Sequence, residues 1–207
     1  MTTQQDVDNR RMITQQSIDE GKYREQHLFN QTKIILDLCG GTGAWSRPYK
    51  EAGYDVRLID LPNDVRMLEF DETISIHGIL AAPPCTVFSY ARQRYGLPKE
   101  WELVDAMSVV DACLRAVIIY NPKWWALENP RNKARRYLGP PRIIFRHWWF
   151  DDGKDKPTCL WGNFNYPKMK VGERTKASTF KTSTQNAFKK DAITPPGFSQ
   201  AFFEANP

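Results

Sequence analysis

The chain has 207 residues, of which 41% are hydrophobic and 13% aromatic. This is enough apolar material for one domain with a buried core, which excludes a wholly disordered chain. No apolar run approaches the roughly 20 residues that span a bilayer, and the polar N-terminus carries no signal-peptide core. The sequence therefore predicts a soluble, cytoplasmic protein without a membrane partner. The net charge of +5 at pH 7 permits a polyanionic partner without requiring one.

The four cysteines are widely spaced and form no Cys-x-x-Cys pair. Such spacing argues against a disulfide framework and against a zinc site, so that reduced thiols and no bound metal are expected. The cysteines are Cys39, Cys85, Cys113 and Cys159.

Apolar, β-branched runs alternate with segments of helical spacing between residues 33 and 127. They predict strands at residues 33–38, 56–60, 78–82 and 124–127, and helices at residues 44–52 and 100–120. Past residue 139 the alternation weakens, and strands at 143–149 and 158–161 and a helix at 198–204 are expected. Because strands alternate with helices, the predicted fold class is α/β, with a doubly wound, mostly parallel, Rossmann-like sheet.

Composition divides the chain into four parts. Residues 1–30 form a polar N-terminal extension, whose spaced apolar residues predict a loose amphipathic helix. The α/β domain follows at residues 31–162, then a basic insertion at 163–192, and then a C-terminal segment at 193–207 that is expected to pack back on the domain.

Cations are concentrated in two stretches, at residues 130–146 and 168–190, in which Glu173 is the one acidic residue. A basic surface exposed to solvent explains this charge as well as a nucleic-acid interface does.

A glycine-rich turn, residues 37–43 (DLCGGTG), follows the first predicted strand. Glycines let a backbone turn sharply and approach a ligand closely. The spacing differs from the G-x-G-x-x-G of dinucleotide sites, and the turn lacks the Lys-Ser/Thr pair of a phosphate-binding loop. A nucleoside cofactor without a pyrophosphate, such as S-adenosylmethionine (SAM), fits better, and a purely structural turn is the alternative. Asp60, which ends the next strand, is placed to bind a ribose and favours the cofactor. Asp64 is either a contact of the adenine amino group or an ordinary loop acid.

A Pro-Pro-Cys sequence closes the third predicted strand, within residues 81–89 (AAPPCTVFS). Two prolines fix a stiff turn at the carboxyl end of the strand, where open α/β sheets bind ligands. A thiol held there is a candidate nucleophile if its pKa is lowered, and the alternative is a cysteine that packs as a small hydrophobe. The proline pair favours the nucleophile for Cys85.

An acid, Glu128, comes directly after the apolar run of residues 124–127 and is followed by Asn129-Pro130. Partial desolvation raises the pKa of such a carboxyl group and suits it to share or donate a proton. A surface or capping acid is the alternative. Cys85 and Glu128 are thus expected at the ends of neighbouring strands, beside the glycine-rich turn. Together these groups have the composition of an active site rather than of separate structural features.

The order of these motifs along the chain resembles that of the DNA cytosine-5 methyltransferase family. DLCGGTG comes first, followed by an acid that ends a strand, then by PPCT and then by ENP. The resemblance is greatest to its compact phage and prophage branch, whose members often contain the sequences found here at residues 82–91, 125–130, 156–162 and 194–207. The similarity covers residues 34–130 well and the remainder in patches. It implies a SAM-dependent methyltransferase fold over residues 31–162, DNA as the partner, and a role in protecting phage DNA from restriction.

The resemblance also implies a role for each matching residue. Cys85 would add to C6 of a cytosine that has left the duplex stack, Glu128 would hold N3 and the exocyclic amine, and Asn129 would support the loop. The residues implied to bind SAM are Asp37, Cys39, Gly40, Gly41, Gly43, Asp60, Asp64 and Pro83. The residues implied to contact DNA, duplex or single-stranded, are Thr86, Ser89, Arg131, Lys133, Arg135, Arg136 and Lys156.

The chain departs from that family in three places. The usual Gln-x-Arg-x-Arg motif is not recognisable, which leaves Arg142, Arg146 and Lys156 as candidates for its role. Thr86 stands where a Gln usually follows Pro-Cys. About 30 residues separate Gly162 from Pro195, where a full target-recognition domain is much larger.

These departures leave several interpretations open. The enzyme has relaxed specificity, uses a separate specificity partner, or methylates another acceptor, either an exocyclic amine or a free pyrimidine nucleotide. Amino methyltransferases usually place an aromatic residue where Cys85 stands, which counts against an amine. A catalytically weak nucleic-acid-binding protein on the same fold is the remaining alternative, and the intact pair of Cys85 and Glu128 argues against it.

Overall fold

The computed structural model describes residues 4–88, 96–150, 155–170 and 193–207, and for residues 4–11 and 13–15 it describes the backbone alone. Within these ranges six strands form one sheet: β1 Ile34–Leu38, β2 Asp55–Ile59, β3 Ile76–Ala81, β4 Trp124–Pro130, β5 Ile143–Arg146 and β6 Pro157–Asn163. The α-helices of the described residues are α1 Gln4–Asn30, α2 Arg47–Glu51, α3 Glu100–Tyr120, α4 Arg135–Leu138 and α5 Pro196–Ala205.

The strand order across the sheet is β2-β1-β3-β4-β6-β5. The first four strands in this order are parallel, and β6 runs antiparallel to both β4 and β5. The prediction of an α/β fold with a mostly parallel sheet is therefore confirmed, whereas its methyltransferase type stays a prediction. From β1 the chain goes to β2 on one side, and β3 then lies on the other side of β1. The point at which the order reverses is therefore between β1 and β3.

Helix α3 covers one face of the sheet. Val110, Cys113 and Ala116 are buried there against Leu36 of β1 and Ile79 of β3. The helix begins where the Lys99 backbone N–H donates to the Glu102 carboxylate at 2.8 Å, and it ends at Asn121 in the left-handed region.

Helices α2 and α5 share the other face. Trp45 and Tyr49 pack with Phe198 and Phe202 of α5 in an aromatic core, with Trp45 and Phe202 edge to face at 5.4 Å between ring centroids. The Tyr49 hydroxyl donates a hydrogen bond of 2.9 Å to the Asn206 carbonyl. The segment from residue 193 onward thus packs against the sheet and fixes the helix that follows the glycine turn.

Several elements differ in extent from the sequence expectation. β4 does not stop at Leu127 but continues to Pro130, because β6 pairs with its last residues. The strand expected at 143–149 ends at Arg146, and a 3-10 turn follows at His147–Trp149. The helix expected at 44–52 is shortened to α2, which starts beside Pro48, a residue suited to a first helical turn.

Helix α1 is longer and less packed than the loose amphipathic helix expected in residues 1–30. The apolar side chains described on it are exposed: Met12, Ile18, Tyr23, Leu28 and Phe29. Its last turn is attached to the domain by the Asn30 side chain, which donates to the Ala52 carbonyl at 2.8 Å. Of the helices in the described ranges, none is at once long and apolar enough to cross a membrane.

Candidate active site at the carboxyl edge of the parallel strands

The chain segments singled out from the sequence leave the sheet at one edge. The register places Leu38, Ala81 and Leu127 side by side in β1, β3 and β4. One residue further, the Ala82 backbone N–H donates to the Leu38 carbonyl at 2.9 Å. The glycine turn, the Pro-Pro-Cys loop and the last residues of β4 are therefore neighbours, beside the point where the strand order reverses. In open α/β sheets this is the usual position of a ligand crevice.

The turn after β1 surrounds a buried carboxylate. Asp37 is fully buried, and its Oδ2 accepts a hydrogen bond of 2.5 Å from the Ser46 hydroxyl, whereas Oδ1 has no protein partner. A Cβ on Gly40 would lie 2.3 Å from Oδ1, so only glycine fits there. Burial raises the pKa of Asp37 to about 6, opposed by the Ser46 hydrogen bond and assisted by the charge of Asp60. A buried acceptor without a protein partner, beside a glycine, calls for an explanation, and a bound ligand is one.

The other glycines of the turn have backbone conformations that favour glycine. Gly41 and Gly43 have φ of +57° and +66°. Cys39 also has a positive φ, of 58°, and its backbone N–H donates to the Ile59 carbonyl at 2.7 Å. The Cys39 side chain packs against the core cluster that contains Cys113 of α3. The backbone of Cys39 therefore belongs to the turn, while its side chain is directed to the core.

The two acids that follow β2 have different surroundings. The Asp60 Oδ1 accepts from the Leu61 backbone N–H at 2.9 Å, and its Oδ2 lies 3.8 Å from where a Cβ on Gly41 would be. Asp60 therefore faces the glycine turn. Asp64 instead caps a short 3-10 helix and pairs with Arg66 at 2.5 Å, and this pairing lowers the pKa of Asp64. The structure brings Asp60 to the turn and engages Asp64 elsewhere.

The Pro-Pro-Cys loop is attached to β4 by a side chain. Asn129 is buried, and its Nδ2 donates to the Pro83 carbonyl at 3.0 Å, while its Oδ1 accepts from Asn132 at 2.6 Å. Pro83 is itself buried, and Thr86, after Cys85, is exposed. Glu128 and Asn129 thus lie in a strand paired on one side with β6, and on the other side they flank the loop that carries Cys85.

Two reactive groups, Cys85 and Glu128, lie within electrostatic range of each other and of Lys156. Burial raises the pKa of the Cys85 thiol, the Glu128 carboxylate raises it further, and the Lys156 ammonium lowers it. Burial also raises the pKa of Glu128, again opposed by Lys156. Glu128 therefore has the tendency to hold a proton that the sequence predicts for it. The pKa of the Cys85 thiol is therefore not lowered, as a nucleophile would require. Its reactivity depends on the balance between the charges of Glu128 and Lys156.

Glu128 lines a narrow cleft on the face of the sheet that α5 covers. The cleft is lined by Phe145, His147, Lys156, Thr158, Phe198 and residues 193–195 as well as Glu128. His147 is buried, and its Nε2 is 3.1 Å from the Thr158 hydroxyl. Carboxylate, ammonium, imidazole and hydroxyl groups thus line a cleft partly walled by aromatic rings, whose free volume is only about 10 Å³.

The basic residues after β4 lie at the same edge. The Arg131 backbone N–H donates to the Pro157 carbonyl at 2.9 Å, and that of Lys133 to the Phe88 carbonyl at 3.1 Å. Arg131 and Arg136 are exposed, and Lys133 and Arg135 are half-buried. Ser89 and residues 171–192, with most of the second basic stretch, lie outside the described residues.

Sequence reasoning did not single out Ser46, His147, Thr158 or Asn132. Ser46 and Asn132 act as hydrogen-bond partners of predicted residues, and no sequence signal distinguishes such partners from other small polar residues. His147 lies in a 3-10 turn, whereas the sequence pattern predicted that β5 continues through this residue. Among the described residues no group of three or more His, Cys, Asp or Glu is arranged to hold a metal ion.

Compared with protein-family models and with curated proteins, the chain matches none of them.

Proposed function

We propose that the protein is a SAM-dependent DNA methyltransferase that forms 5-methylcytosine through Cys85. The observation that carries this proposal is the convergence of a glycine turn around Asp37, a Pro-Pro-Cys loop and Glu128 at one edge of the sheet, beside the reversal of strand order. Each group alone has a structural explanation, but the three together have the composition of a methyl-transfer site.

The residues around the turn fit SAM. The unpartnered Asp37 Oδ1 and the side-chain-free path along Gly40 and Gly41 provide an acceptor and room for a ligand to approach the backbone. Asp60, facing the turn after β2, is the acceptor for a ribose. When bound there, SAM supplies an electrophilic methyl group on a sulfonium.

Cys85 and Glu128 would act on the base. The Cys85 thiolate adds to C6 of cytosine, so an S–C6 bond forms and the electrons of the C5–C6 double bond make C5 nucleophilic. Glu128, whose raised pKa favours a shared proton, stabilises this adduct at N3. C5 then takes the methyl group, so the bond from that methyl group to the sulfonium breaks and a neutral thioether leaves. C5 loses its proton to solvent, and the S–C6 bond breaks to restore the C5–C6 double bond and the thiolate.

DNA is the partner that the charge favours. Cations on the segment after β4 flank the Cys85 loop, where they can contact phosphates on either side of an extruded base. Such contacts position a substrate without reading its sequence, which agrees with the short chain between Gly162 and Pro195.

The experiment that tests the proposal uses methyl-deuterated SAM with duplex and single-stranded DNA, and nucleoside mass spectrometry as the readout. We expect deuterated 5-methylcytosine from the wild-type protein and none from Cys85→Ala. Cys159→Ala, which removes a buried thiol on β6, is the matched control and should keep the activity of the folded protein.

Other outcomes would favour the alternatives. If the deuterated methyl group is found on an amine nitrogen, and is found there with Cys85→Ala as well, the reaction is amine methylation and not methylation at C5. Label on a free cytosine nucleotide but not on DNA would change the substrate class. DNA binding without SAM binding or label on any acceptor would indicate a non-catalytic nucleic-acid-binding protein.

A further inference from the structure

The loop that carries Cys85 is held at both of its ends. Pro83 and Phe88 are buried, whereas the residues between them are half-buried or exposed. At the first end, the Pro83 carbonyl accepts the hydrogen bond from the Asn129 side chain. At the second end, the Phe88 carbonyl accepts from the Lys133 backbone N–H at 3.1 Å. Cys85 therefore lies at the surface between two fixed points.

Phe88 is the fixed point that is bonded directly to Cys85. Its backbone N–H donates to the Cys85 carbonyl at 3.1 Å, which closes a β-turn whose first residue is Cys85. The Phe88 side chain is fully buried in the core cluster that includes residues of α3. Its ring also packs with the ring of Tyr137 on α4, at 6.0 Å between centroids. The position of the turn thus depends on the position of this ring.

The segment that holds Phe88 also carries cations. Lys133 supplies the backbone N–H, and Tyr137 supplies the neighbouring ring. Between these two residues, Arg135 and Arg136 begin α4. The position of the Cys85 turn relative to these cations is therefore fixed through Phe88.

We propose that Phe88 is a positioning residue, whose buried ring holds the Cys85 turn in place beside α4. Phe88 acts through its backbone bond to Cys85 and is not itself a catalytic group. A turn that is already ordered places a reacting group in advance, so less ordering is needed when a substrate binds. The role of Cys85 as a nucleophile rests on the proposed function, but the attachment of its turn does not.

The test measures the Cys85 thiol directly, without SAM or DNA. Iodoacetamide alkylates the protein at one pH, and mass spectrometry of the digest gives separate rates for Cys85 and for Cys113, which is fully buried on α3. Cys113 reacts when the core opens, so its rate reports global unfolding in the same sample. We expect Phe88→Ala to raise the Cys85 rate about tenfold while Cys113 stays largely unreacted, because the cavity frees the turn. Phe88→Leu, which keeps most of the apolar volume, should restore a rate near that of the wild-type protein.

Phe202→Ala is the matched control, because Phe202 is as fully buried as Phe88 but lies on α5. It should destabilise the fold and leave the Cys85 rate near the wild-type value. Tyr137→Ala tests the same ring contact from an exposed residue, in case Phe88→Ala does not fold. It should raise the Cys85 rate by a smaller factor. Cys85 rates in folded Phe88→Ala and Tyr137→Ala that were no higher than in Phe202→Ala would overturn the proposal and make Phe88 an ordinary core residue.

Methyl transfer gives a second readout, which does rest on the proposed function. Phe88→Ala should lower kcat about tenfold with little change in KM for DNA, since the cations of α4 are kept. An unchanged kcat, with an active wild-type protein, would overturn the proposal. Faster alkylation of Cys85 in Phe88→Ala but not in Phe202→Ala would support it even if the wild-type protein methylated no DNA, so failure of the proposed function is distinguishable.

Discussion

The side-chain amide of Asn129 donates a hydrogen bond of 3.0 Å to the backbone carbonyl of Pro83. This bond joins the last residues of β4 to the loop that carries Cys85, across a gap where β3 has already ended. Asn132 extends the connection, since it donates to Asn129 and accepts from the Ala134 backbone N–H at 2.8 Å. The relative position of Cys85 and Glu128 therefore depends on a small buried network of amides.

Removing the Asn129 amide should loosen this arrangement. Asn129→Ala removes the hydrogen bonds that the Pro83 carbonyl and the Asn132 Nδ2 make with Asn129 in a buried site, which we expect to cost about 1–3 kcal/mol of unfolding free energy. Methyl transfer should fall by more than tenfold while SAM affinity changes little, because the glycine turn lies on another strand. Urea unfolding, calorimetric SAM binding and the nucleoside assay measure the three effects.

Asn132→Ala is the control for that variant, because it removes the outer part of the network and keeps the bond to Pro83. It should reduce stability with a smaller loss of methyl transfer. Equal loss of methyl transfer in both variants would mean that the Asn129–Pro83 bond has no particular role in placing Cys85.

The glycine turn has a steric requirement at Gly40. An alanine Cβ would lie 2.3 Å from Asp37 Oδ1, too close for both atoms to stay in place. We expect Gly40→Ala to destabilise the fold by about 1–3 kcal/mol and to weaken SAM binding at least tenfold. Gly21→Ala on α1 meets nothing within 4 Å and should raise stability by about 0.5–1 kcal/mol without affecting SAM binding. If Gly40→Ala bound SAM as tightly as the wild-type protein does, the glycine turn would not be the SAM-binding site.

The sequence predicted the positions of the candidate site residues in the sheet better than it predicted the elements around them. Gly40, Cys85 and Glu128 follow apolar runs that form buried strands, and in a parallel sheet the ends of neighbouring strands meet, so local pattern was enough to bring them together. The extent of β4 was not predictable in this way, because its last residues are held by β6, which is remote in sequence. Asp64 illustrates the same limit: its ion pair with Arg66 depends on side-chain geometry that spacing does not reveal.

The buried carboxylate of Asp37 makes stability dependent on pH. Its pKa rises from 3.8 to about 6 on folding, so the folded chain holds this proton more tightly than the unfolded chain does. Its contribution to stability is therefore complete below pH 3.8 and is lost as the pH rises through about 6. Asp37→Asn removes the ionisation and should be more stable than wild type at pH 7 by up to about 3 kcal/mol, with no advantage near pH 3.

Urea unfolding of both proteins between pH 3 and pH 8 measures this difference. The variant should at the same time lose SAM affinity, since its one amide oxygen accepts from Ser46 and its N–H2 donor then replaces the acceptor that faces Gly40. An advantage that did not grow with pH would mean that Asp37 is not held with a raised pKa in the folded chain.

The two acids after β2 should contribute unequally to SAM binding. Asp60 faces Gly41 with one carboxylate oxygen, whereas both oxygens of Asp64 are engaged by Arg66. Asp60→Asn should therefore weaken SAM binding about tenfold or more, because a ribose loses its charged acceptor. Asp64→Asn should weaken it less than threefold, with a stability loss below about 1 kcal/mol, as expected for an exposed ion pair. Calorimetric titration of SAM into each variant gives the ranking, and a larger loss for Asp64→Asn would show that Arg66 releases Asp64 to the cofactor on binding.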